Sequence, residues 1–231
     1  NSFVYNRVGN FGKIFGLIRK EFIYLFHNKT YLFNSIGNGI VFSILFLVIC
    51  VFVSVDNYLK NELFSAYFNM FFPMILSILS SINVSTINSI SLEQKRIDYL
   101  MTIPTSIGLV LFSKWIVNMI LGSFFVLLNG IVVLVFLDLS KYLTIMSFIL
   151  PFIALMLTSL TSLLLDFIFP MKDEMNENVI IKGRILSFVP MFLALIIGIA
   201  PIFLMRVNLK YMYFQIGYIL ILFVIMIIEI I

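Results

Sequence analysis

The chain has 231 residues, of which 62% are hydrophobic and 11% charged, and a formal net charge of +4. About half the residues of a soluble domain are polar, so a mean hydropathy of +1.14 excludes an ordinary soluble globule and points to an integral membrane protein. The small positive charge is better explained by membrane topology than by a nucleic-acid partner, and the lone Cys50 excludes an intrachain disulfide or a cysteine metal cluster.

The first element is FGKIFGLIRKEFIYLFH, residues 11–27. At roughly 100° per residue, Phe11, Ile14, Phe15, Ile18, Phe22, Leu25 and Phe26 share one face, while Lys13, Lys20, Glu21 and His27 gather opposite. This predicts an amphipathic helix over 9–28 with a basic wet face, suited to lie in the membrane interface. A soluble helix packed on a neighbouring domain is the alternative.

A membrane crossing takes roughly 20 apolar residues. Runs of that kind predict transmembrane helices over 30–55, 63–92, 108–137, 142–169, 185–205 and 211–231. The fold class expected is therefore all-α, a single transmembrane domain over 1–231 with six transmembrane helices behind the interfacial one. The second helix is long enough to run past the lipid and deliver the stretch SLEQKRIDYLMTIPTSIG at its end. There Glu93, Lys95, Arg96 and Asp98 fall within six residues of an otherwise apolar chain. Eleven of the basic residues (Arg7, Lys13, Arg19, Lys20, Lys29, Lys95, Arg96, Lys114, Lys172, Lys182 and Arg184) fall on one side of this topology; Lys60, Lys141, Arg206 and Lys210 fall on the other. The positive-inside rule then puts both termini and the charged stretch in the cytoplasm. The chain starts at Asn1 and ends in IMIIEII, which reads as one part of a longer polypeptide.

Inside the spans, Ser77, Ser81, Ser85 and Ser89 recur every fourth residue, on one helix face. Small residues let helices approach closely in lipid, so helix packing is preferred over a substrate path for these serines. Asn83 and Asn88 on the same helix, with Asn118 and Asn129 on the next, need polar partners or a wet lumen. Lys114 and Asp166 lie near helix ends, where they are expected to snorkel to the interface. Pro73, Pro151, Pro190 and Pro201 can bend their helices, and Gly37, Asn38 and Gly39 suit close packing or a local break. No midplane carboxylate suggests a proton relay, which weighs against a proton-driven transporter.

No G-x-x-x-x-G-K-S/T phosphate loop is present, and GNFGK at 9–13 has the wrong spacing. One histidine, His27, supports neither a metal site nor a Ser-His-Asp arrangement. Asp173, Glu174 and Glu177 alternate with Lys172 and Lys182 as a solvated loop face does. Nothing in the chain carries a reaction, so the expectation is a transporter component and not an enzyme.

An interfacial helix, six spans and a charged knuckle between the second and third spans resemble the type-2 ABC exporter permeases. That superfamily has a Glu and basic residues, an apolar pair and a Thr-x-Pro before the third span; here Glu93, Lys95, Arg96, Leu100, Met101, Thr102 and Pro104 stand in those positions, followed by Lys114. The loop LDFIFPMKDEMNENVIIKG, residues 165–183, is similar to a Firmicutes-type subgroup through Asp166, Pro170, Lys172, Glu177 or Glu174, and Lys182. It departs from that subgroup where Met171 separates Pro170 from Lys172, where Met175 or Asn176 stands for a Trp, and where Gly183 stands for a Gln. KEFIYLFHNKTYLFNSIGNGI, residues 20–40, resembles the same subgroup's approach to the first span.

The resemblance implies that residues 91–107 form a cytoplasmic coupling element that docks on an ABC ATP-binding subunit. Glu93, Lys95, Arg96 and Asp98 would set register on that partner, with Tyr99, Leu100 and Met101 as the apolar anchor and Pro104 closing the motif. A plain loop whose charges only fix topology is the other reading of the stretch. The resemblance further implies a bacterial cell-membrane exporter, a second permease half as homodimer or homologous half, and ATP and magnesium bound by the partner subunit, with no cofactor in this chain. The alternative function is a secondary transporter or channel that needs no ATPase.

Overall fold

The computed structural model describes residues 10–52, 62–81, 86–93, 106–137, 139–171 and 211–230, with positions 189, 192, 193 and 196. Nearly all of the expected span over 185–205 and residues 94–105 lie outside these. Among the described residues the chain forms six α-helices and no strand: α1 (Asn10–His27), α2 (Lys29–Phe52), α3 (Glu62–Ser81), α4 (Ile107–Phe136), α5 (Lys141–Ile168) and α6 (Tyr211–Ile230). Three of them, α2, α4 and α5, are long and apolar enough to cross a membrane. The shorter apolar stretches Phe71–Ser81 and Ile219–Glu229 belong to α3 and α6.

α2 has no distinct polar face, and it buries only Tyr31, Ser35, Gly39, Phe46 and Cys50. Those positions follow one stripe along the helix. Ile40, Val41, Ile44, Leu45, Leu47 and Val48 are left exposed. In water that face would have to be covered; in lipid it needs no cover, because the tails are as apolar as the side chains. At the start of α2, Asn28 caps the helix: its Oδ1 accepts from the Tyr31 N–H at 3.0 Å.

α5 is the centre of the bundle. Met74 of α3, Leu150, Ile153, Ala154 and Leu157 of α5 and Leu222 of α6 form one apolar cluster. A second joins Phe46 and Cys50 of α2, Phe72 and Leu76 of α3, and Val132 and Val133 of α4. α4 and α5 approach closely at two glycines: a methyl at Gly122 would come within 2.5 Å of the Leu155 methyls, and one at Gly130 would collide with the Phe148 ring.

The continuous helix expected over 63–92 is not formed. The described part of α3 ends at Ser81, and where the description resumes, at 86–93, the chain passes through two 3-10 turns, Thr86–Asn88 and Ser91–Glu93. The polar residues that were expected to ride one helix face instead compete with helical bonding: Ser89 Oγ donates to Thr86 O at 2.9 Å. Non-helical backbone buried away from water survives only where its polar groups find partners. α5 shelters these turns with a row of small side chains. Ala154, Thr158, Ser162 and Asp166, four residues apart, are all fully buried. Thr86 Oγ1 donates to Ser159 O at 3.0 Å and fastens the first turn to this surface.

Candidate functional site

The second turn is held by charge. Lys114, in the second turn of α4, is a three-proton donor with three acceptors around it. Its Nζ lies 3.0 Å from Glu21 Oε2 and 2.8 Å from Glu93 Oε2, and it donates to Ser89 O at 3.0 Å. Lys20 completes the cluster, 2.7 Å from Glu93 Oε1 and 3.3 Å from Glu21 Oε1. Two cations thus balance two anions. Lys114, Glu21 and Glu93 are 4%, 6% and 2% exposed, so these three charges meet out of water, with Lys20 half-buried at the edge. Such a cluster persists in a low-dielectric setting only because every member has a partner. Burial alone would raise the Glu93 carboxyl, but the ammonium groups of Lys114 and Lys20 outweigh it and hold that carboxyl below its ordinary value.

A second anion clamps the same segment from the other side. Asp166, near the end of α5, is fully buried. Its Oδ2 accepts from the Ile90 and Ser91 backbone N–H groups at 2.6 and 3.2 Å, and its Oδ1 accepts from the Ser91 hydroxyl. The Ser91 oxygen in turn accepts from the Met171 N–H at 3.1 Å. Tyr24 OH of α1 donates to Leu92 O at 3.4 Å, and Leu25, Tyr31 and Leu92 pack together beneath. Trp115 Nε1 donates to Ser159 Oγ at 2.9 Å, one residue along α4 from the ion cluster. The result is a polar knot that ties α1, α4 and α5 to the turn from which residues 94–105 depart.

Three expectations are corrected here. Glu93 does not present an outward charge; its carboxylate is consumed inside the knot. Lys114 and Asp166 do not snorkel, because buried partners satisfy them where they stand. Glu21 does not belong to the wet face of α1. The buried row of that helix is Leu17, Glu21 and Leu25, four residues apart, whereas Phe11, Phe15 and Phe26 of the expected apolar face are 88%, 68% and 60% exposed. α1 therefore meets α4 with a mixed row and turns Phe11, Phe15 and Phe26 outward.

Lys95, Arg96, Asp98, Tyr99, Leu100, Pro104, Glu177 and Lys182 lie outside the described residues, as do Asn83 and Ser85. Ser77, Ser81, Ser89 and Asn88 are buried. Ser77 bonds within its own helix, its hydroxyl donating to Pro73 O at 2.8 Å. The bond between helices comes from a serine outside the expected stripe: Ser80 Oγ donates to Pro151 O at 3.0 Å. Pro170 is half-buried beside Met171, where the chain leaves the knot. Lys20 and Glu21 were expected on the wet face of α1 because their partners, Glu93 and Lys114, stand far along the chain. The readable signal was Lys114 itself, since a lysine set inside an apolar run demands a buried acid.

Comparison of the chain with protein-family models, with curated proteins and with solved structures finds no match.

Proposed function

We propose that this chain is the membrane half of an ATP-driven exporter, with ATP and magnesium bound by a separate ABC ATP-binding subunit. One observation carries the reading: residues 94–105 leave from a turn fastened to α1 through Lys20 and Tyr24, to α4 through Lys114 and to α5 through Asp166. A segment rooted in this way moves with three helices, so a push from a docked motor is passed to the bundle instead of being absorbed by a slack loop. Glu93 then serves as the root. Lys95, Arg96 and Asp98 set the register of docking, and Tyr99 and Leu100 supply the apolar anchor ahead of Pro104. The loop beginning at Pro170, with Glu177 and Lys182, departs from the same knot through the Met171–Ser91 bond. In this reading the chain has six spans, lies in a bacterial cell membrane with both termini cytoplasmic, and pairs with a second permease half.

The test is site-directed crosslinking. Single cysteines at Arg96 or Tyr99, in a Cys50→Ser background, are crosslinked in native membranes and the adducts identified by mass spectrometry. An ATP-binding cassette subunit is the expected adduct, whereas a cysteine at buried Glu93 is expected to give none. Adducts that contain no nucleotide-binding protein would remove the exporter reading and leave a transporter or channel without a motor.

A further inference from the structure

α1 carries two adjoining recesses that neither the knot nor the exporter reading uses. One, of about 590 Å³, is lined by Arg19, Lys20, His27 and Lys29. The other, of about 710 Å³, is lined by Phe15, Ile18, Phe22, Phe26 and, from α4, Ile120. Arg19, Ile23 and His27 line both, so basic side chains stand on the border of an apolar cleft. Lys20 spends its charge on Glu21 and Glu93. Arg19 and Lys29 form no ion pair among the described residues, and both are exposed. Ile120 lies about 20 Å along α4 from its first residue, at a depth that belongs to hydrocarbon in a helix of this length. The cleft therefore runs from a cationic rim down beside an apolar helix.

We propose that this paired recess binds one anionic phospholipid of the surrounding bilayer. The phosphate sits against Arg19 and Lys29, with the His27 imidazole at its edge, and one acyl chain lies between the α1 phenylalanines and Ile120. Interfacial helices bind through apolar burial together with attraction to anionic headgroups, and each cation near the headgroup layer is worth about fivefold in affinity. Two cations not already paired then separate an anionic lipid from a zwitterionic lipid of equal chain length by on the order of tenfold or more. The site needs only that α4 crosses a membrane; it stands or falls apart from the exporter reading.

The experiment is native mass spectrometry of the full chain in detergent with equal amounts of phosphatidylglycerol and phosphatidylcholine carrying identical acyl chains. The wild type is expected to retain phosphatidylglycerol on the order of tenfold in excess, and Arg19→Gln with Lys29→Gln to bring the ratio near one. Lys141→Gln, which removes an exposed cation at the start of α5, is expected to leave the ratio unchanged. Equal retention of both lipids by the wild type overturns the proposal. So does an equal loss of selectivity in Lys141→Gln, which would show bulk charge at work, or displacement of the lipid by millimolar inorganic phosphate, which would show a simple anion site.

Discussion

α2 and the segment 86–93 are both flanked by apolar chain, yet they are held in opposite ways. In α2, only 17% of the most apolar stretch is buried, and the helix is held by one stripe of side chains, Tyr31 against α1 and Phe46 and Cys50 against α3 and α4. In the turns, Ser91, Leu92 and Glu93 are all buried, and the ties are ion pairs and hydrogen bonds. The difference shows what specifies structure when the solvent is lipid. Apolar contact between helices gains little over contact with lipid tails, so position is set by polar bonds and by close approach at small residues. Substitutions should divide along this line.

The largest effect is expected at Lys114. Lys114→Met leaves Glu21 and Glu93 facing each other with only Lys20 between, at a cost of about 3–5 kcal/mol. Thermal unfolding in detergent measures it, and adding Glu21→Leu should return part of the loss. A double-mutant loss equal to the sum of the two single losses would mean the cluster is not acting as a unit.

Acid should reach the same cluster through Glu93. Its carboxyl titrates below the ordinary value in the folded chain, so its contribution is fully present above the unfolded value of about 4.3 and is lost as the pH falls through the folded one. Melting temperature should therefore drop at acid pH in the wild type and drop less in Glu93→Gln, once both are referred to their neutral-pH values. Parallel curves would place the acid sensitivity elsewhere.

Asp166→Asn keeps the shape but weakens the bonds to Ile90, Ser91 and the Ser91 hydroxyl, costing about 1.5–3 kcal/mol. Hydrogen exchange should quicken at residues 90 and 91 before it quickens in α5. Gly130→Ala forces a methyl into the Phe148 ring and should cost about 1–3 kcal/mol. Gly37→Ala is the control on the lipid-facing side. Its methyl meets the Phe33 ring at an ordinary 3.5 Å, and the change should fall within about 0.5 kcal/mol of zero. A Gly37 effect equal to that of Gly130 would erase the distinction between the two regions.

Composition and periodicity by themselves determined the membrane class, the all-helical character, and the presence of helices over α1, α2, α4 and α5, because those signals are local and a bilayer demands roughly 20 apolar residues for each crossing. They also marked Glu93, Lys114 and Asp166 as out of place in apolar surroundings. Only the tertiary structure decided what those residues do. Glu21 and Lys114 are separated by 93 positions, and which faces of α1 and α4 meet depends on the whole bundle, not on either helix. The same holds for the helix that was expected to continue to residue 92. A serine-rich run is compatible with a helical face or with turns, and the small-residue row of α5 selected the turns by sheltering their backbone. Once the fold buries Glu93, its carboxylate has to lie against Lys114 and Lys20, since the same carboxylate buried without a cation would cost several kcal/mol.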